Sequence, residues 1–263
     1  MRIDLLMAAE EMVPSRAKAK EMILSGAVYY DGVPVSKPSL DVAEKEKIEI
    51  RDNPLRRYVG RGGLKLEAAL DTFGIKAEGC VCIDIGASSG GFTDCLLQRG
   101  AAFVYAVDSG RDQLHPRLLA DPRVRSMEGC NARNLHAADF EPVPELAVMD
   151  VSFISQTLLY PALREVMTQG GVFISLIKPQ FELDRASLGK GGIVKEERLR
   201  RRAIDRVALS AKEYGFIQHA LIESPIVGGD GNIEYLAAFS LPPLIKKEGA
   251  NEQDRFVAEH EEG

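Results

Sequence analysis

The chain has 263 residues, 45% of them hydrophobic, and carries 33 Lys and Arg against 39 Asp and Glu for a formal net charge of −6. That length and apolar content suit one large domain and one small one, while the acidic balance gives no global basic field, so any nucleic-acid reading must rest on local clusters. No stretch reaches the ~18 uninterrupted apolar residues of a membrane span, and the N-terminus, with Arg2, Asp4, Glu10 and Glu11, has no apolar signal core.

Residues 15–24 read as a helix capped by Ser15 and closed by Gly26. The runs 27–30 and 33–35 flank the turn Asp31-Gly32, a hairpin signature, and 47–50 form another short strand. Pro, Arg and Gly concentrate between residues 53 and 63, which marks a boundary: a small α+β domain over 1–53, a linker over 54–63, and a large domain over 64–243. In the large domain the runs 81–85, 103–108, 124–127, 146–150 and 172–178 are rich in Val and Ile and alternate with helical spacing. That pattern predicts an α/β, doubly wound, mostly parallel sheet covered on both faces. The runs 216–222 and 233–241 leave no room for a helix between them and should pair as an antiparallel hairpin, which brings the sheet to seven strands. Residues 195–202 should start a helix laced with ion pairs, and residues 244–263 form a charged tail poor in apolar residues.

The strand 81–85 runs into the turn Asp84-Ile85-Gly86-Ala87-Ser88-Ser89-Gly90-Gly91-Phe92-Thr93, where glycines let the backbone pass close to a ligand. Asp108 ends the next strand about 20 residues on, where a carboxylate can accept both hydroxyls of a ribose. The turn lacks both Gly-x-Gly-x-x-Gly and a Gly-Lys-Ser/Thr ending, so an adenosine cofactor without a pyrophosphate, S-adenosylmethionine, fits better than NAD. The candidate cofactor contacts are Asp84, Gly86, Ala87, Ser88, Gly90, Gly91, Phe92, Thr93, Asp108 and Asp150, with Asn131 and Ala132 near the adenine edge; Asn131 could equally satisfy its own backbone.

Asp150 and three further residues are expected to converge on the same crevice. Asp150 and Lys178 close successive strands, Lys65 lies on the helix leading into the sheet, and Glu234 opens the last strand. A ribose hydroxyl is a very weak acid, so its deprotonation needs an adjacent base and cations that offset the developing charge. Lysine serves as that base only where burial or a second cation favours its neutral form.

Lys65, Asp150, Lys178 and Glu234 match the Lys-Asp-Lys-Glu set of FtsJ-type ribose methyltransferases. The phrases Gly-Arg-Gly-Gly-Leu-Lys (60–65), Asp-Val-Ser-Phe-Ile-Ser (150–155), Ile-Lys-Pro-Gln-Phe-Glu (177–182) and Gly-Lys-Gly-Gly-Ile-Val (189–194), with the glycine turn, resemble the TlyA branch, often labelled haemolysin A, over nearly the whole chain. The resemblance implies a Rossmann-like methyltransferase sheet and S-adenosylmethionine-dependent methylation of a 2′-hydroxyl, that of a cytidine in ribosomal RNA. It makes Lys178 the base, has Asp150 and Lys65 tune and position it, and has Glu234 complete the hydrogen-bonded set.

The N-terminal segment, with Ser15-Arg16, Lys18, Lys20 and the Asp31-Gly32 turn, resembles the small S-four-type RNA-binding domain. Arg2, Ser15, Arg16, Lys18 and Lys20 are the candidate RNA contacts there, and Arg56, Arg57 and Arg61 could continue the basic path to the crevice; a solvated helix and a plain charged linker are the alternatives. The implied partners are ribosomal RNA or ribosomal subunits, with no membrane and no obligate protein partner. The four cysteines lack Cys-x-x-Cys spacing and the four histidines show no metal spacing, so reduced core thiols, no metal site and a cytoplasmic location are expected. Two other readings remain: a non-catalytic RNA-binding or ribosome-assembly factor, and a membrane-active haemolysin, which would need a spanning or lipid-facing amphipathic segment.

Overall fold

The computed structural model describes residues 1–24, 26–50, 57–228 and 231–242. Helices α1 (Ile3–Ala9) and α2 (Arg16–Leu24) pack together, beside an antiparallel sheet of order β2-β1-β3 built from β1 (Val28–Tyr30), β2 (Val33–Pro34) and β3 (Ile48–Ile50). Ser15 Oγ accepts the Lys18 amide at 3.1 Å, the expected cap. Asp31 and Gly32 take φ of +52° and +76°, as a two-residue turn between twisted strands requires. Helix α1 was not among the expected elements. Seven residues give too few turns for a clear period, and a helix this short is held by packing: Ile3 and Met7 are fully buried with Ile23 and Val28.

The large unit is a seven-stranded sheet of order β6-β5-β4-β7-β8-β10-β9. Its strands are β4 (Val81–Ile85), β5 (Phe103–Asp108), β6 (Val124–Glu128), β7 (Leu146–Met149), β8 (Val172–Ile177), β9 (Ile217–Glu223) and β10 (Tyr235–Ser240). Strands β4 to β8 pair in parallel, and β10 runs antiparallel to both β8 and β9, so the expected hairpin sits at one edge. Side chains alternate between two apolar layers. Ile83, Ile85, Tyr105 and Val107 join one core with helices α6 (Tyr160–Val166) and α8 (Glu197–Glu213). Cys82, Val104 and Ala106 join the other with helices α3 (Gly62–Phe73) and α4 (Gly91–Gln98). Burial on both faces explains why these strands read as continuous apolar runs. Two single-turn helices, α5 (Pro116–Leu119) and α7 (Pro179–Glu182), complete the set, and α7 carries the chain directly away from β8.

Helix α3 begins inside the segment expected to be linker, and Tyr58 is already buried in the second core with Leu66 and Leu70. Residues 54–56 and the tail from 244 onward lie outside the described residues. Among the described residues no helix is long and apolar enough to cross a membrane.

Candidate active site

The chain order of the sheet reverses between β4 and β7, and a crevice opens beyond their carboxyl ends, where open α/β sheets bind ligands. Gly86 leaves β4 with φ +88°, and a Cβ placed there would stand 2.5 Å from the Asp150 carbonyl oxygen. Only glycine lets the two loops approach so closely. Two layers of backbone meet on the far side: a Cβ on Gly91 would lie 3.1 Å from both Gly60 O and Gly63 N. The Gly-Arg-Gly-Gly phrase therefore packs against the glycine turn.

Asp84, the residue before the last of β4, is fully buried beneath this turn. Its Oδ2 accepts the Thr93 amide at 2.9 Å and the Thr93 hydroxyl at 2.7 Å, pinning the start of α4 to the sheet. Burial, with a smaller push from Asp150, raises its carboxyl to about 7 against the Thr93 bonds. Asp84 Oδ1 is buried and has no hydrogen-bond partner among the described residues.

Two adjoining cavities fill the crevice and share Gly86, Ser88, Asp150 and Ser152 as their common wall. The larger, about 470 Å³, is lined by Asp108, Gly110, Gln113, Asn131 and Ala132. Asp108 is held there by the Gly110 amide at 2.7 Å on Oδ1 and the Ser88 amide at 2.8 Å on Oδ2. Asn131 lines this cavity, and its Oδ1 accepts the Arg133 amide at 3.1 Å. The smaller, about 280 Å³, is lined by Arg61, Lys65, Ala87, Gly91, Phe92, Lys178, Ile226 and Val227. Asp84, Gly90 and Thr93 line neither cavity and support the turn from below.

The four chemistry-bearing residues form two ion pairs. Lys178, one residue past β8, lies 2.6 Å from Asp150 Oδ1, one residue past β7, and also donates to Ser152 Oγ at 2.8 Å. Lys65 on α3 donates to Glu234 Oε2 at 2.5 Å, just before β10. Glu234 is 3% exposed and sits behind Lys65, so it supports the cavity wall without lining it. A Cβ on Gly228 would meet Glu234 Oε1 at 2.5 Å, which brings the loop carrying Ile226 and Val227 down onto this pair. Asn232, also buried, ties that loop to the neighbouring one by accepting the Val194 amide at 2.9 Å and donating to Gly192 O at 3.2 Å.

Two residues of the site were not singled out from the sequence. Ser152 partners Lys178 and stands at the junction of both cavities; Phe153 lines the larger one, 92% exposed with φ +64°. Both belong to the phrase Asp-Val-Ser-Phe, which follows a strand end at the switch point, and that position was the available signal.

The expected RNA contacts scatter more widely. Arg61 lines the smaller cavity. Arg57 is instead bonded to Glu67, which Arg99 also holds at 3.2 Å, so its charge is already shared. Arg2 and Arg16 both bond Asp4, Ser15 and Lys20 are exposed, and Lys18 is partly buried. Arg56 lies outside the described residues.

The family model described as FtsJ-like methyltransferase matches residues 58–241, and that of the S4 domain matches residues 1–48. The chain is 39% identical over 234 residues to the 16S/23S rRNA (cytidine-2'-O)-methyltransferase TlyA of Mycobacterium tuberculosis, across 89% of this chain and 87% of that protein. It is 42% identical over 240 residues to Hemolysin A of Brachyspira hyodysenteriae, across 91% and 99% of the two chains. The solved structure of a hemolysin candidate from Streptococcus thermophilus superimposes with a TM-score of 0.73 at 42% identity, over 92% of this chain and 90% of that one.

Proposed function

The chain belongs to the FtsJ-like methyltransferase family, and on that premise we propose that it methylates the 2′-hydroxyl of a cytidine in ribosomal RNA, using S-adenosylmethionine. The carrying observation is the pair of adjoining cavities with a common wall, only one of which holds the two lysines. A group-transfer enzyme needs such a division: donor on one side, acceptor with its base on the other.

The larger cavity fits the cofactor. Its backbone-lined floor at Gly86 has no side chain to obstruct a ligand, and Asp108 offers a carboxylate at the end of β5. Asp108 would hold the ribose and Asn131 would meet the adenine. S-adenosylmethionine, when bound, supplies a methyl group on a positively charged sulfur.

Lys178 is the proton acceptor in this reading. The amine donates to Ser152 Oγ at 2.8 Å, and the Asp150 carboxylate stands 2.6 Å away as the counter-charge it meets once protonated. Held by Ser152 on one side, the amine's lone pair would take the proton of a ribose hydroxyl, and Asp150 would offset the charge that results. The Lys65 ammonium, backed by Glu234, stabilises the negative charge that develops on the oxygen. Arg61 at the rim would hold a phosphate of the target strand. The N-terminal domain would dock the RNA, and ribosomal subunits, in the cytoplasm, are the substrate form this arrangement suits.

The test is transfer of labelled methyl groups to free ribosomal RNA and to each purified subunit, with Lys178→Ala alongside and the modified ribose mapped. Transfer that survives that substitution unchanged would reject the assigned base. A non-catalytic binding role would instead give RNA retention with no transfer on any substrate.

A further inference from the structure

Strands β7 and β8 pair as far as Met149 and Ser175. Beyond that level residues 150–157 and 178–182 leave the sheet side by side, and among the described residues no backbone hydrogen bond links one segment to the other. Their relative placement therefore rests on side chains. Lys178 meets Asp150 and Ser152, the Phe153 ring meets that of Phe181, and the Glu182 carboxylate meets residues 155 and 156.

Glu182 is the buried member of this set, 2% exposed at the end of the single turn α7. Its Oε2 accepts the Ser155 hydroxyl at 2.5 Å and its Oε1 accepts the Gln156 amide at 3.0 Å. Gln156, buried beside it, accepts the Tyr160 hydroxyl at 3.0 Å and the Ser175 hydroxyl of β8 on its own Oε1. Arg206 of α8 donates to the Glu182 carbonyl at 2.7 Å, so α7 is held from its other side as well. Burial raises the Glu182 carboxyl above its ordinary range, against the Ser155 and Gln156 hydrogen bonds and the Arg206 charge. An apolar side chain of that volume would pack here at less cost. What a satisfied buried polar network adds is one fixed arrangement of the segments it joins.

Resting on the methyltransferase reading above, we propose that Glu182 is a positioning residue for the base: by clasping Ser155 and Gln156 it fixes Ser152 against Lys178 and so aims the amine at the ribose hydroxyl. Glu182 lines neither cavity and acts only through these neighbours. The lever is short. Lys178 and Glu182 bracket one turn, closed by the Phe181 amide on the Lys178 carbonyl at 2.9 Å, so a shift of the carboxylate is carried to the start of the lysine side chain.

The test is single-turnover methyl transfer to ribosomal RNA by the full chain. Glu182→Met keeps the volume but neither hydrogen bond, and should lower the rate about 10- to 100-fold, the scale of a misplacement near 1 Å. Affinity for S-adenosylhomocysteine, read by calorimetry, should stay unchanged. Glu182→Gln keeps an oxygen for the Gln156 amide and sets its nitrogen against the Ser155 hydroxyl, which can turn to Thr157 Oγ1 at 2.8 Å, so most of the rate should return. The deciding comparison repeats Glu182→Met in a Lys178→Ala protein. With the base already gone, a residue that acts through it should cost less than about twofold, because members of one unit are not additive. A purely structural role would lower the residual rate by the same factor in both backgrounds. Ser155→Ala removes the clasp from its other side and decides the matter in the same two backgrounds if Glu182→Met does not fold. A wild-type rate in the folded variant, or an equal loss with and without Lys178, overturns the assignment. Failure of the wild-type protein to methylate any ribosomal RNA would instead overturn the function on which it rests.

Discussion

The Asp150 carboxylate lies 2.6 Å from the Lys178 amine because β8 runs on past the level at which its parallel neighbour β7 ends. The two side chains leave adjacent strand ends at the switch point and meet over the wall shared by both cavities. Lys178→Ala should therefore lower kcat by about 10²- to 10⁴-fold, the usual worth of a positioned general base, in a protein that still folds by circular dichroism. Single-turnover methyl transfer at saturating cofactor and RNA measures this, and a loss confined to KM would contradict it.

Ser152 makes a finer forecast. If it occupies one N–H of the Lys178 amine, Ser152→Ala frees the nitrogen to rotate and should cost kcat about tenfold, the value of one hydrogen bond, with KM little changed. Ser152→Thr retains the hydroxyl and should restore most of the rate. Equal activity in all three proteins would leave Ser152 as a wall residue only.

The Lys65–Glu234 pair should separate stability from catalysis. With side-chain exposures of 11% and 3%, both charges are largely out of water, and Glu234→Gln leaves the ammonium without its counter-charge. A loss on the order of 3 kcal/mol in unfolding free energy is expected, together with reduced activity. The double substitution Lys65→Met with Glu234→Leu should recover much of the stability and none of the activity. Denaturant titrations of the wild type and both variants beside the methyl-transfer assay test both halves.

The strand ends that carry Asp150 and Lys178 were legible in the sequence because apolar runs buried on both faces stop where the sheet stops. The turn at Gly86 was legible too, since few residues but glycine serve a tight strand exit. What could not be read was who pairs with whom. Lys65 meets Glu234 only because β10 inserts between β8 and β9 in the reverse direction, a fact of strand order that no local pattern encodes. Helix α1 and the buried Asp4 escaped for a related reason: a seven-residue helix and a lone acid have no periodicity, and their roles come entirely from distant partners.

Asp84 sets a pH dependence whose sign can be worked out. Its folded carboxyl titrates at about 7 against 3.8 for the ordinary group, so between those values the folded state holds more protons than the unfolded one. Its contribution to stability is then fully present below about pH 4, declines as pH rises, and is lost above about pH 7, a change on the order of 4 kcal/mol at most. Asp84→Asn keeps an oxygen for Thr93 and should flatten that decline. Unfolding free energies of both proteins from pH 4 to pH 8 test this; parallel curves would show that Asp84 ionises without cost.

Phe153 is an apolar ring that is 92% exposed, held at φ +64° on the lip of the larger cavity and 5.2 Å from Phe181 in α7. Left-handed backbone costs a non-glycine residue roughly 1–2 kcal/mol, and an exposed ring offsets little of that by burial. The fold gains nothing evident from this arrangement, which points to the substrate: the ring offers a stacking face for a base beside the reactive ribose. Stacking of a base on an aromatic ring is worth about 1–3 kcal/mol, so Phe153→Ala should raise KM for ribosomal RNA by roughly 5- to 150-fold. Phe153→Gly should do the same while leaving the protein at least as stable, because glycine adopts this φ freely. Phe153→Tyr should retain near-normal KM. A Phe153→Ala protein that binds RNA and turns over like the wild type would place the ring outside the RNA path, and the strained turn would then serve only to bring Ser152 back to Lys178.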